Sequence, residues 1–172
     1  VSGEDYRLRC EAMQKALDEF REAEEQVAAT ERGAKEKFVK RGKLLPRERI
    51  DKLLDPGAPF LELMSLAGRK MHDDRDGSTA GGGVISGIGY VGGIRCLVTA
   101  SNSAIKGGTI APAGLHKSLR LLEIARQNKL PIVALAESGG ANLNYATDVF
   151  VDGARSFANQ ARLSAHGIPQ VT

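Results

Sequence analysis

The chain has 172 residues, of which 42% are hydrophobic and 26% charged, with 20 glycines, no tryptophan and a net charge of +3. That balance belongs to a globular domain and excludes a disordered chain. Cys10 and Cys96 are isolated, and His72, His116 and His166 are scattered with no cysteine or carboxylate cluster at ligand spacing. Neither a disulfide framework nor a metal site is expected, and a reducing compartment is. No apolar run approaches the ~20 residues of a membrane span, and the first residues lack a charged-then-apolar leader pattern, so no membrane partner is expected.

Apolar residues at Tyr6, Cys10, Met13, Leu17, Phe20 and Val27, with Glu24 interrupting, predict one face of a long helix, an arm that packs on a neighbouring domain or subunit. Gly33 and Gly42 loosen its far end. Pro46 then opens a short helix over residues 47–54, which Asp55-Pro56-Gly57 closes. The positive charge concentrates here, in Lys35, Lys37, Lys40, Arg41, Lys43, Arg47 and Arg49. A solvated helix face and a seat for the phosphates of a nucleotide-bearing ligand are both open readings. Nucleic acid is not expected as a partner, because no aromatic residues are interleaved for base stacking.

Residues 68–83 form a polar, glycine-bearing segment without periodicity, which reads as a mobile loop. Residues 84–91 and 94–101 are β-rich runs around Gly92-Gly93, a two-residue hairpin signal. A helix follows over residues 113–128, marked by Leu115, Leu119, Leu122 and Ala125, and then a buried strand over residues 132–136. Another helix is expected over residues 153–165, with Phe157, Ala161 and residues 163–165 on its inner side. Residues 167–172 read as the start of a further strand, so the sequence is expected to be a piece of a longer protein.

Three glycine-rich elements carry candidate chemistry. The glycines of residues 81–89 precede and occupy strands instead of opening a helix, so they do not make a dinucleotide fingerprint; strand packing explains them. Residues 102–109, with Lys106-Gly107-Gly108, leave a strand and lead to a helix, which suits either contact with an anionic substrate or a plain turn. Glu137-Ser138-Gly139-Gly140-Ala141 follows the buried strand directly. It lacks the Gly-x-Ser-x-Gly of a hydrolase elbow. Its two glycines leave main-chain amides uncovered, donors suited to holding the oxygen of a thioester as it becomes an enolate.

Taken in order, RGKLLPRERIDKLLDPGAPFLEL, GGGVISGIGYVGGIRCLV, KGGT, EIARQNKLPIVALAESGGANL and NQARLSAHGIPQV resemble the carboxyltransferase beta subunit of biotin-dependent acyl-CoA carboxylases, from about residue 40 onward. The Ser-Gly-Gly-Ala-Asn form is similar to the methylcrotonoyl-CoA and geranyl-CoA branch. The resemblance implies an α/β, crotonase-like spiral of strand-strand-helix units. Residues 1–57 would be a helical arm with a short helix, and residues 58–172 part of the N-terminal carboxyltransferase domain. It implies transfer of a carboxyl group from carboxybiotin to an acyl-CoA through an enolate held by main-chain amides. The biotin would be carried by a biotin carboxylase and biotin carrier subunit, in a homo-oligomeric complex of the cytoplasm or the mitochondrial matrix.

Matched motif to motif, Gly139, Gly140 and Ala141 would offer amides to the thioester oxygen, with Ser138 beside them. Lys106, Gly107 and Gly108 would lie along the acyl-CoA groove, and Lys43, Arg47 and Arg49 near the coenzyme's phosphates. A companion Gly-Gly-Ala turn and the biotin-holding domain are expected beyond Thr172. Ala136-Glu137 stand where the resemblance leads one to expect Val-Asp, and residues 144–147 differ from the usual continuation. Rival readings are an enoyl-CoA hydratase or isomerase, for which Glu137 is the available carboxylate, a biotin-linked decarboxylase subunit, and a non-catalytic assembly subunit that docks through the arm.

Overall fold

The structure, a computed structural model, describes residues 3–172. Helix α1 (Gly3–Gly33) is continuous over 31 residues, about 46 Å at 1.5 Å per residue. Its apolar stripe divides in two. Ala23 and Val27 are buried, Val27 against Ala80 and Ile105, whereas Tyr6, Met13, Leu17 and Phe20 stay exposed. The expected packing of the arm is therefore confined, among the described residues, to its C-terminal end.

Beyond α1 come a one-turn helix α2 (Lys35–Val39) and then α3 (Pro46–Leu53). Proline at the first turn pre-sets the helical φ, and the Glu48 carboxylate accepts from Leu45 N at 2.9 Å, satisfying a donor that the helix start would otherwise orphan. Between these helices lies a buried ionic clamp. The Glu31 carboxylate, 1% exposed, accepts from Arg47 N at 3.1 Å and sits 3.2 Å from Arg47 Nε. The Arg47 guanidinium meanwhile grips Glu62 through two bonds of 2.7 and 3.1 Å. Burial pushes the Glu31 carboxyl above its ordinary range, opposed by Arg47.

Five strands form one sheet in sequence order: β1 (Leu61–Glu62), β2 (Val84–Val91), β3 (Ile94–Ser101), β4 (Ile132–Leu135) and β5 (Gln170–Val171). The β1–β2 and β2–β3 pairs are antiparallel; β3–β4 and β4–β5 are parallel. Helix α4 (Pro112–Asn128) connects β3 to β4, and α5 (Ala146–Ala165) connects β4 to β5. Gly92 and Gly93 take φ of 59° and 76°, the left-handed pair that a tight hairpin turn requires. The Asp55 carboxylate accepts from both of their amides at 2.7 Å, so the segment that ends α3 also fastens the hairpin.

Strand β3 is buried on both faces. Leu97 faces Leu121, Ala125, Leu130, Ile132, Leu163 and Ile168, while Cys96 and Val98 face Ile50 and Ile85 across the other side. The alternation of side chains along one strand thus divides the core into two layers. Two strand glycines mark close approaches, as the sequence anticipates. A Cβ on Gly87 would lie 2.4 Å from the Phe60 ring, and one on Gly89 2.5 Å from Leu54.

Several expectations need correction. Helix α5 starts at Ala146, not at residue 153, because Gly153 lies in open space and does not break it. Its buried residues are Val149 and Leu163; Phe157 is 75% exposed and Ala161 is exposed. Residues 68–83 lack periodicity but not organisation. Asp74, 5% exposed, accepts from Lys70 N, Thr79 N and Thr79 Oγ1 at 2.7, 2.9 and 2.8 Å. Among the described residues no helix is long and apolar enough to cross a membrane.

Leu163, fully buried, is predicted to cost about 2–5 kcal/mol when cut back in Leu163→Ala, read as a lowered urea midpoint at an unchanged m-value. Lys117 on α4 is 3% exposed and donates to Gly81 O and Val84 O at 3.1 and 2.6 Å. Burial lowers its pKa to about 8. Above that value the folded state releases a proton that the unfolded chain still holds, so unfolding free energy rises from about pH 8 towards pH 10.5. Stability measured across this window should climb more steeply in the wild type than in Lys117→Met.

Candidate functional site

At the exit of β4 the chain passes through Ala136 and Glu137 into the Ser138-Gly139-Gly140-Ala141 turn, and the Lys106–Gly108 turn lies against it. Gly139 N donates to Gly108 O at 3.2 Å, Ile110 N to Gly140 O at 2.8 Å, and Asn142 N to Ile110 O at 2.9 Å. This short parallel pairing needs glycine on both sides. A Cβ on Gly139 would fall 2.8 Å from Gly107 O, and one on Gly108 2.6 Å from Glu137 O. Two motifs that are thirty residues apart in sequence are therefore one structural unit.

The three amides anticipated as free donors differ. Gly139 N is committed to Gly108 O. Gly140 N donates to Ser138 Oγ at 3.0 Å, a partner that a rotation of the side chain releases. Ala141 N meets no acceptor among the described residues. Gly140 takes φ of 86° and has no atom within 4 Å of a would-be Cβ, so the space over this part of the turn is open. Lys106, Gly107 and Gly108 are all left-handed, with φ of 48°, 65° and 69°; Lys106 and Gly107 are exposed.

Below the turn lies a cavity of about 690 Å³ between the sheet, α4 and α5. Its walls are mainly apolar, with Leu121, Ile132, Ala134 and Phe157, and Ser138 and Gly108 stand at its rim. Gly139, Gly140, Ala141, Lys106 and Gly107 do not line it. The turn therefore borders the cavity through Ser138 and presents its remaining amides elsewhere.

The three cations expected near phosphates are not free. Lys43 Nζ lies 2.6 Å from Glu137 Oε1 and Arg49 Nη1 3.5 Å from Glu137 Oε2. The ammonium of Lys43 first, and Arg49 with it, holds the Glu137 carboxyl below its ordinary range against partial burial. Arg47 is also engaged: its guanidinium, part-exposed, is held between Glu31 and Glu62. Lys43, half exposed, retains access to solvent.

Sequence reasoning missed a second contact. The Asp73 carboxylate accepts from Tyr145 Oη at 2.7 Å and Asn142 Nδ2 at 3.2 Å, and the His72 ring meets Tyr145 edge-on at 5.3 Å. The segment over residues 68–83 is thus fastened to the residues just after the glycine turn. No periodic signal could have shown this; the only hint was an acid-rich stretch facing an Asn and a Tyr some seventy residues on.

Both the sequence and the fold have relatives among known proteins. The carboxyl transferase domain family matches residues 37–172. The chain is 50% identical over 141 residues to the biotin-dependent 3-methylcrotonyl-coenzyme A carboxylase beta1 subunit of Mycobacterium tuberculosis, covering 80% of this chain and 26% of that protein. It is 48% identical over 139 residues to a probable mitochondrial methylcrotonoyl-CoA carboxylase beta chain of Drosophila melanogaster, covering 79% and 24%. Among solved structures, the geranyl-CoA carboxylase beta subunit of P. aeruginosa superposes with a TM-score of 0.87 at 66% identity, over 93% of this chain and 30% of that one. The chain spans about a quarter of the length of the curated relatives it matches. The helical arm and strand-strand-helix-strand order are those of the crotonase-like fold that the sequence resemblance implies. With the family matching most of its length and a relative of one-half identity, the chain belongs to the carboxyl transferase domain family.

Proposed function

We propose that the whole protein is the carboxyltransferase subunit of a biotin-dependent acyl-CoA carboxylase, acting on a branched or unsaturated acyl-CoA. The observation that carries this reading is the unpartnered Ala141 amide beside open space at Gly140, in a turn whose Ser138 borders a cavity with mainly apolar walls. An acyl thioester fits such a place: its hydrocarbon portion suits the walls, and its oxygen needs fixed donors where charge develops. Carboxybiotin, delivered by a biotin carboxylase and biotin carrier subunit, supplies the carboxyl group. The residues of this chain bind the acyl portion and donate to the thioester oxygen as it becomes an enolate. Ala141 N acts first, and Gly140 N joins when Ser138 Oγ turns away. One such donor is worth about 3–4 kcal/mol of barrier.

Lys106, Gly107 and Gly108 border the acyl-CoA groove in this reading, and Lys43 with Arg49 stand where the coenzyme's phosphates approach, sharing Glu137 until then. Arg47, bound to both Glu31 and Glu62, would have to leave two carboxylates to join them. The subunit is proposed to assemble as a homo-oligomer and to work in a bacterial cytoplasm or the mitochondrial matrix. A hydratase is disfavoured by Glu137 itself. While they pair with it, Lys43 and Arg49 hold its carboxyl below the ordinary range, away from the near-neutral pKa that suits an acid catalyst.

Gly140→Val tests the assignment in the intact protein with its biotin-bearing partner. The open space around Gly140 accommodates the side chain, but φ of 86° resists it and redirects the turn. Carboxylation of methylcrotonoyl-CoA or geranyl-CoA should fall roughly 10²-fold, the loss typical of a displaced oxyanion donor. Unaltered turnover and acyl-CoA binding in a folded Gly140→Val protein would overturn it.

A further inference from the structure

A second concave site lies between α4 and α5, on the side of these helices away from the large cavity. It is a trench of about 570 Å³. His116, Arg120, Arg126 and one acid, Glu123, line it from α4, and Arg155, Arg162 and His166 from α5. Leu119 and Leu122 form its apolar floor. Only Leu122 is shared with the walls of the large cavity, so the two sites use different helix faces.

The charge of this trench is only partly compensated. Arg120 pairs with Glu123 at 2.7 Å, and Arg155 lies 3.5 Å from Asp152, which also faces His116 at 3.5 Å. These pairs are exposed at the surface, where an ion pair contributes little and rearranges readily. Arg126 and Arg162 meet no carboxylate among the described residues; Arg162 donates to Asn159 Oδ1, and His166 Nδ1 contacts the Arg162 carbonyl. In the basic stretch that dominates the sequence, Lys35, Lys43, Arg47 and Arg49 are matched by Glu48, Glu137, Glu31 or Glu62, while Lys37, Lys40 and Arg41 are exposed. Positive charge available to a partner is therefore found in the trench as well as in that stretch.

We infer that this trench binds an extended acidic peptide segment of a partner protein. Its length decides the class of ligand. Residues 116–126 and 155–166 each span roughly 15 Å of helix, and the cations are distributed along both rims instead of converging on one point. A single phosphate would engage only one end. An extended chain advances about 3.3 Å per residue, so five or six residues fill the trench, with acidic side chains on the guanidinium rims and apolar ones on the leucine floor.

The test uses the intact protein and three probes: a fluorescent six-residue peptide alternating glutamate and leucine, its glutamine counterpart, and tripolyphosphate. The glutamate peptide should bind, at least tenfold more tightly than the glutamine peptide, and more weakly as salt rises from 50 to 500 mM, roughly as screening of charge pairs requires. The Arg126→Glu/Arg162→Glu protein should lose at least tenfold in affinity. Arg126→Gln/Arg162→Gln, which avoids new repulsion and guards against misfolding, should lose less, and carboxylation should be unchanged in both. No binding of the glutamate peptide, equal binding of both peptides, or indifference to both double substitutions would overturn the inference. Displacement by tripolyphosphate at matched affinity would also overturn it, by showing a small-anion site. Because the readout is peptide binding, it stands or falls separately from the carboxyltransferase reading.

Discussion

Everything at the candidate site depends on how closely two main chains can approach. The Gly139 amide reaches the Gly108 carbonyl because no side chain stands between the loops, and the Gly108 Cα sits where any Cβ would strike the Glu137 carbonyl. That contact fixes the strand exit against the turn that feeds α4, and the pairing continues through Gly140 O and Asn142 N to Ile110 while leaving the Ala141 amide unused. The same glycine pair thus has two tasks. Gly139 makes the approach possible, and Gly140 supplies the left-handed bend that frees the Ala141 amide.

Electrostatics acts here mainly as internal fastening. The arm joins the sheet through Glu31, Arg47 and Glu62, the short-helix region joins the strand exit through Lys43, Arg49 and Glu137, and Asp55 fastens the hairpin through two amides. Each bond crosses between different elements, over separations from fifteen residues at Arg47 and Glu62 to ninety-four at Lys43 and Glu137. Asp73 with Tyr145 and Asn142 adds a further link of this type at the residues immediately after the glycine turn. The glycine turn is therefore held by Glu137 with Lys43 and Arg49 before it, by Asp73 with Tyr145 and Asn142 after it, and by backbone pairing to residues 108–110.

Much of the fold was legible because its signals are local. Gly92-Gly93 between β-rich runs marked the hairpin, Pro46 marked a helix start, the leucine spacing marked α4, and the apolar run 132–136 marked a parallel strand that ends one residue sooner. The start of α5 was missed because Gly153 reads as punctuation, yet within a helix it costs only about 1 kcal/mol relative to alanine, too little to end it. Arg47 was misjudged for a different reason. A cation in a basic stretch looks available until its partners are known, and Glu31 and Glu62 lie sixteen and fifteen residues away on opposite sides. The pairing of the two glycine motifs, likewise, was not legible in either motif alone.

The enclosure of Glu31 limits how chains of this kind can change. With its carboxylate almost wholly shielded, loss of the facing guanidinium would strand a charge away from water at a cost of about 3–5 kcal/mol, a large share of a domain's stability. Loss of the carboxylate would in turn leave Arg47 half satisfied. A viable alternative must replace the acid and the base in concert, or convert the whole triad to apolar side chains of similar volume. The junction between arm and sheet is therefore a single heritable unit, and a sequence that alters one of these three positions should carry a matching alteration at another.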